Sequence, residues 1–203
     1  MRPRIFRLIA PLACCAVLAA CQAPQTTTPP PAAAAPSPPP PLATPVKDGT
    51  LKDNFNNIFC SGETYLAGYP TAAGLRAMQA KGVTRVIALK TNDQVLDARG
   101  YDEAAVAARL GLDLVVIPMS VDTMSPADVA RFAQAYDSAT GPVLVHCGSA
   151  NTVGALWAAY LHERYGLPEE EAIAAGDAAG MKAPDAIKAA KRLIEATPAS
   201  TSK

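Results

Sequence analysis

The chain has 203 residues, and 18 Lys and Arg balance 18 Asp and Glu to give a formal charge of zero. That balance excludes the strongly basic surface that draws a protein to nucleic acid, so no nucleic-acid partner is expected. Four segments are expected: residues 1–20, 21–53, 54–197 and 198–203.

The first, within "MRPRIFRLIAPLACCAVLAAC", sets Arg2, Arg4 and Arg7 ahead of an uncharged apolar run from Leu8 to Ala20. That run is too short to span a bilayer as a helix and has the layout of a secretory signal. Leu18-Ala19-Ala20-Cys21 resembles the bacterial lipoprotein lipobox, which implies cleavage before Cys21 and lipid attachment to its sulfur. Gln22 in the next position implies, by the same resemblance, sorting to the outer membrane, with the domain in the periplasm. Cleavage there removes three arginines and leaves 15 basic against 18 acidic residues, a formal charge of −3. Acyl chains burying ~0.8 kcal/mol per CH₂ would make the anchor effectively permanent.

Residues 22–46 hold ten of the nineteen prolines and no charge. Such a stretch cannot bury a core, and an extended tether with polyproline II character is expected over 21–53. A loose tail is expected over 198–203. Five cysteines are present. Cys14 and Cys15 leave with the signal and Cys21 is acylated, so Cys60 and Cys147 remain, as free thiols or as a disulfide whose formation depends on a proximity the sequence does not give.

Between Asn54 and Ala196 short β-rich runs alternate with helical patterns, the signal of an α/β fold with a parallel sheet of four to five strands flanked by helices. Strands are predicted at 64–69, 84–90 and 112–119, with helices over 71–82, where Leu75 and Met78 share a face, and over 100–111, ended by Gly111. Ser125, Pro126 and Asp128 form an N-cap, a first-turn proline and a first-turn acid. Val129, Phe132, Ala133 and Tyr136 make the inward stripe that follows. "GPVLVHC" (141–147) reads as a central strand buried on both faces. Val153, Leu156, Trp157, Tyr160 and Leu161 then recur with helical spacing, predicting an amphipathic helix with Trp157 and Tyr160 in the core. Helices over 167–180 and 184–196 close the domain, the last with Ile187, Leu193 and Ile194 as its apolar positions. About 140 residues in one such array suffice for a single core.

In "HCGSANTVG" (146–154) a strand ends in a cysteine, a loop of small residues follows and a helix begins. The N–H groups of such a loop converge on one point, and the helix dipole adds positive potential there. An anion is favoured at that point, and a cysteine in the same field is favoured as thiolate. Gly148, Ser149 and Ala150 are small enough for a phosphate to approach the backbone, with Asn151 and Thr152 completing the cradle. The expectation is that the Cys147 sulfur lies at the mouth of this turn.

"GPVLVHCGSANTVGALWAAYLHERYGLPEEEAIAAGDAAGMKAP" resembles the protein tyrosine and dual-specificity phosphatase superfamily, and more closely its beta-lactamase hydrolase-like phosphatase branch. "AGYPTAAGLRAMQAKGVTRVIALK" and "GLDLVVIPMSVDTMSPADVARF" carry the same resemblance, which covers most of residues 58–182. It implies a nucleophilic cysteine, here Cys147, a phosphocysteine intermediate, and an arginine in the loop that grips the phosphoryl oxygens. No cofactor and no metal are implied. The arginine position is Thr152 in the branch's spacing and Val153 in the wider superfamily's. Neither offers the bidentate, charge-assisted contact of a guanidinium, and losing a preorganised transition-state donor costs ~3 to 4 kcal/mol.

Asp122, 25 residues before Cys147, is the candidate general acid by the same analogy. Asp93 and Asp97 are alternatives, and Asp128 reads as a helix first-turn acid. His146 precedes the cysteine, as in the superfamily, and strand alternation points it away from Cys147, so it supports rather than acts as the base.

Three functions fit these residues. The first is a membrane-tethered phosphatase with impaired turnover, the second an inactive relative that binds a phosphorylated protein or a small anionic ligand, and the third, more remote, rhodanese-like sulfur transfer on a four-residue cysteine loop. The anchor carries its own test: metabolic labelling with a radioactive fatty acid should mark the native chain and not Cys21→Ala, and label persisting in the variant would refute lipidation at that residue.

Overall fold

The computed structural model describes residues 38–90 and 100–197. The signal, Cys21, the first part of the tether, Asp93, Asp97 and the tail over 198–203 lie outside the described residues. In chain order the elements are β1 (Thr44–Pro45), α1 (Gly49–Lys52), β2 (Ile58–Ser61), β3 (Thr64–Ala67), α2 (Ala72–Ala80), β4 (Arg85–Lys90), α3 (Glu103–Leu110), β5 (Asp113–Pro118), α4 (Pro126–Asp137), β6 (Val143–His146), α5 (Asn151–Tyr165), α6 (Glu169–Ala178) and α7 (Pro184–Ala196).

The strands form one sheet in the order β1-β2-β3-β6-β4-β5. β3, β6, β4 and β5 run parallel, and these are the four strands that the hydrophobic pattern predicts. Two further strands bring the sheet to six and make it mixed. β2 joins β3 as an antiparallel hairpin, closed by Gly62 at φ 59, and β1 pairs antiparallel with β2 at the edge. A left-handed residue in a two-residue loop suits the twist of a hairpin, and Gly62 supplies it without steric cost. Pro45 is tolerated in β1 because an edge strand has one row of N–H groups without a ladder partner.

The chain therefore joins the fold upstream of Asn54, where the sequence pattern starts the domain. Ala43 and Leu51 are buried, Val46 N–H donates to the Ile58 carbonyl, and Asp48 caps α1 by accepting from the N–H groups of Thr50 and Leu51.

Each face of the sheet carries its own core. α4 to α7 cover one face, where Leu66, Ile87, Leu89, Val143 and Val145 pack against Phe132, Leu156, Trp157 and Leu193. α1 to α3 cover the other, where Ala67, Val86 and Leu144 meet Leu51, Leu75, Met78 and Val106. Fully burying a large apolar side chain contributes roughly 1.5–3 kcal/mol, so these two layers are the main source of stability.

α5 departs from the amphipathic helix expected. Every residue from Val153 to Leu161 is buried, because the sheet, α4, α6 and α7 surround it on all sides. Phe132, Tyr136, Trp157 and Tyr160 stack edge-to-face and in parallel on this helix, as the core assignment of Trp157 and Tyr160 requires. The Tyr160 hydroxyl donates to Asp137 at 2.6 Å, and burial holds its phenol far above the usual range.

α5 and α6 touch through backbone. A methyl added at Gly154 would lie 2.6 Å from the Gly176 carbonyl oxygen and 2.7 Å from Met181 Cβ. Neither neighbour is a flexible side-chain tip, so the helices must part to admit it. Gly154→Ala should therefore lower unfolding free energy by about 1–3 kcal/mol in urea titration, against the small gain that Ala brings to an ordinary helix position.

Candidate active site

The four parallel strands deliver their following loops to one end of the sheet, where ligand sites of α/β folds form. The loop after β6 carries Cys147 to Ala150, and the loop after β5 carries Asp122. β6 lies between β3 and β4 and is hydrogen-bonded to both, so the cysteine loop leaves from the middle of the sheet.

Alternation along the chain separates the last side chain of β6 from the one that follows it. Cys147 belongs with Val145 to the core beneath α5, and His146 points through the other face toward α3. His146 Nε2 and Glu103 Oε1 are 2.7 Å apart, with the two side chains 0% and 4% exposed. His146 is therefore engaged away from the sulfur, as alternation requires. Glu103 escaped the sequence reading because it looks like an ordinary first-turn acid of α3. Its burial, unusual for a glutamate at a helix N-terminus, is the signal that only the structure gives.

Cys147 is 2% exposed, and its backbone N–H donates to the Ala67 carbonyl at 3.1 Å. Cys147 is thus buried with the core beneath α5. Gly148 and Thr152 are half-buried and Ser149 is exposed. Ala150 adopts the left-handed conformation at φ 71, the one described non-glycine residue to do so. Its Cβ faces Gly180, where an added methyl would come within 2.8 Å of it. That backbone reversal turns the chain into α5, whose N–H groups at Asn151, Thr152 and Val153 precede the first i−4 bond, from Gly154 N–H to the Ala150 carbonyl.

The side chain of Asn151 is spent on structure. Its Oδ1 accepts from the N–H groups of Lys182 and Ala183 at 2.8 and 2.7 Å, tying the loop to the segment before α7, and its Nδ2 donates to Ser149 Oγ. What Asn151 can give an anion is its backbone N–H. Thr152 lies on the first turn of α5 and is half-buried.

Asp122 is exposed on a turn closed by a hydrogen bond from Met124 N–H to the Ser120 carbonyl. Arg192 of α7 donates to the carbonyls of Val121 and Met124, bracketing the aspartate from below. Asp128 is buried at the start of α4, accepting from Ser125 N–H and Oγ and pairing with Arg131, so it is a helix cap and not part of the site.

Cys60 is free, as is Cys147. Through Tyr65 and Leu144 the register sets Cys60 two strands across from β6 and three residues back from Cys147. At ~4.8 Å per strand and ~3.3 Å per residue that exceeds the roughly 7 Å Cα separation a disulfide allows. Burial raises the Cys60 thiol above its ordinary range.

A six-stranded, mostly parallel α/β sheet flanked by helices, with a cysteine loop between its central strand and a buried helix, is the fold of cysteine-based phosphatases. Residues 70–162 match the family described as "Beta-lactamase hydrolase-like protein, phosphatase-like domain". The Beta-lactamase hydrolase-like protein of Agrobacterium fabrum is 31% identical over 83 residues, which are 40% of this chain and 19% of that protein, so the chain spans about one fifth of the curated relative it matches. P. aeruginosa TpbA superposes with a TM-score of 0.59 at 20% identity, over 77% of this chain and 90% of that one. A cysteine-to-serine variant of TpbA in complex with pTyr gives 0.60 at 19% identity, over 78% and 91%.

Removing the carboxylate beneath the site separates structure from chemistry. Glu103→Leu strands the buried His146 Nε2 without its partner, and should cost about 1–3 kcal/mol in chemical denaturation.

Proposed function

We propose that the domain binds phosphomonoesters at the 147–153 loop and hydrolyses them slowly through Cys147. The observation that carries this reading is the run from a central parallel strand through Cys147 into a loop of small residues and the first-turn N–H groups of α5. The pTyr complex of TpbA, a protein of the same fold, supports a phosphomonoester as the ligand.

In the proposed reaction the Cys147 thiolate attacks phosphorus and the P–O ester bond breaks. The departing oxygen takes a proton from Asp122. Water then gives a proton to Asp122 as it attacks the phosphocysteine, the P–S bond breaks, inorganic phosphate leaves and the sulfur returns to thiolate. Loop N–H groups and the α5 dipole bear the developing negative charge, with the Thr152 hydroxyl as a single further donor. Without a guanidinium the same cradle stabilises the transition state less, and turnover falls by about 100- to 1,000-fold.

A second reading is favoured by the 2% exposure of Cys147 together with Thr152: a module that holds a phosphorylated protein or a small anionic ligand without breaking it. Lipid attachment at Cys21 would tether either form to the outer membrane, facing the periplasm. Among the described residues no helix is long and apolar enough to cross a membrane.

Hydrolysis of an aryl phosphate under reducing conditions decides between them. The native chain should turn over slowly, Cys147→Ser not at all, and Thr152→Arg about 100-fold or more faster than native. Vanadate binding by a native chain as inactive as Cys147→Ser would instead establish the binding module.

A further inference from the structure

A cradle of backbone N–H groups works only while the carbonyls of the same loop stay turned away from the anion. In this loop two of those carbonyls are held from outside. Asn56 Nδ2 donates to the Gly148 oxygen at 2.8 Å, and Asn57 Nδ2 donates to the Ser149 oxygen at 3.2 Å, each reaching across 92 residues of sequence. Tyr69 N–H adds a second, longer bond to the Gly148 oxygen at 3.3 Å. In a trans peptide the C=O and the next N–H point in opposite directions, and the described residues contain no cis peptide. Fixing each carbonyl therefore fixes the N–H of the residue after it, Ser149 or Ala150, on the far side of its own peptide.

The segment that bears the two asparagines is itself anchored. Asn56 N–H donates to the Tyr69 carbonyl and the Asn57 carbonyl accepts from Gly68 N–H, which ties the segment to the end of β3. Just upstream, Asn54 accepts from Thr71 at both its backbone and its side-chain oxygen. The approach is close enough to require glycine at 68: a Cβ there would lie 2.8 Å from Asn56 Cβ and 3.0 Å from the Gly148 oxygen.

We propose that Asn56 and Asn57 are positioning residues that clamp the Gly148 and Ser149 carbonyls outward and so preorganise the cysteine loop for a phosphate-type anion. The inference rests on the anion-binding reading above and adds the device that makes it work in a loop without arginine. Where a guanidinium is present it can order such a loop from within; here the order comes from outside, through neutral amides. Aspartate keeps the shape of asparagine but replaces the donor with an acceptor, so it repels the carbonyl that asparagine holds and favours the flipped peptide.

Inorganic phosphate binding to the full chain, followed by the NMR shifts of the loop amides, tests the clamp in Asn56→Asp and, separately, Asn57→Asp. Each variant should weaken phosphate at least 10-fold with thermal unfolding still cooperative. The Ser149 and Ala150 amide resonances of the phosphate-free chain should also move in both variants while those of the helices away from the loop stay in place, a pattern that mere loss of stability does not produce. Phosphate affinity and loop-amide shifts both unchanged in the two variants would overturn the clamp and leave the site reading standing. A native chain that binds neither phosphate nor vanadate would overturn the site reading and the clamp with it.

Discussion

Two-sided hydrogen bonding of β6 is the constraint from which the site follows. With β3 on one side and β4 on the other, the strand has no freedom to slide, and its alternation is locked to the two cores. A one-residue slip would exchange Cys147 for His146 in the layer beneath α5 and carry the imidazole away from Glu103. The loop that follows inherits this fixed origin. It must leave the sheet at Cys147, reverse at Ala150 and enter a helix buried on every side, so three neighbouring elements determine its path.

Polar contacts around that loop come from distant parts of the chain and each serves a different peptide. Asn56 and Asn57 hold the 148 and 149 carbonyls from the β2 side, while Asn151 reaches the other way to the residues before α7. Arg192 does the corresponding work for the loop that bears Asp122. Each of these is a side chain satisfying backbone, worth on the order of 1 kcal/mol, and together they give the end of the sheet a defined shape where no regular ladder reaches.

The parts of the fold legible in the sequence are those written in apolar periodicity and cap chemistry: the four parallel strands, the cap at Ser125, and the helices from α2 to α7. Cys147 and its loop were legible because strand, cysteine, small residues and helix are contiguous. β1, β2 and α1 were not, since a proline-rich edge strand and a four-residue hairpin arm carry too few apolar positions to set a period. The burial of α5 was missed because alanines filled its second face, and alanine is at home on a helix surface or in a core. Asn56, Asn57, Glu103 and Arg192 were invisible for another reason. Their roles depend on pairings across tens of residues, and a lone polar residue in sequence does not show what it faces.

Ala150 and Gly180 occupy one shared space, since a methyl on the second would meet the Cβ of the first at 2.8 Å and the Phe59 ring at 2.6 Å. The cysteine loop and the end of α6 are thereby bound in their evolution. Gly180 also holds φ 102, a conformation open to glycine and costly for any other residue, so space opened at 150 or 59 would not by itself admit a side chain there. Crowding and backbone geometry therefore act together to keep glycine at this junction.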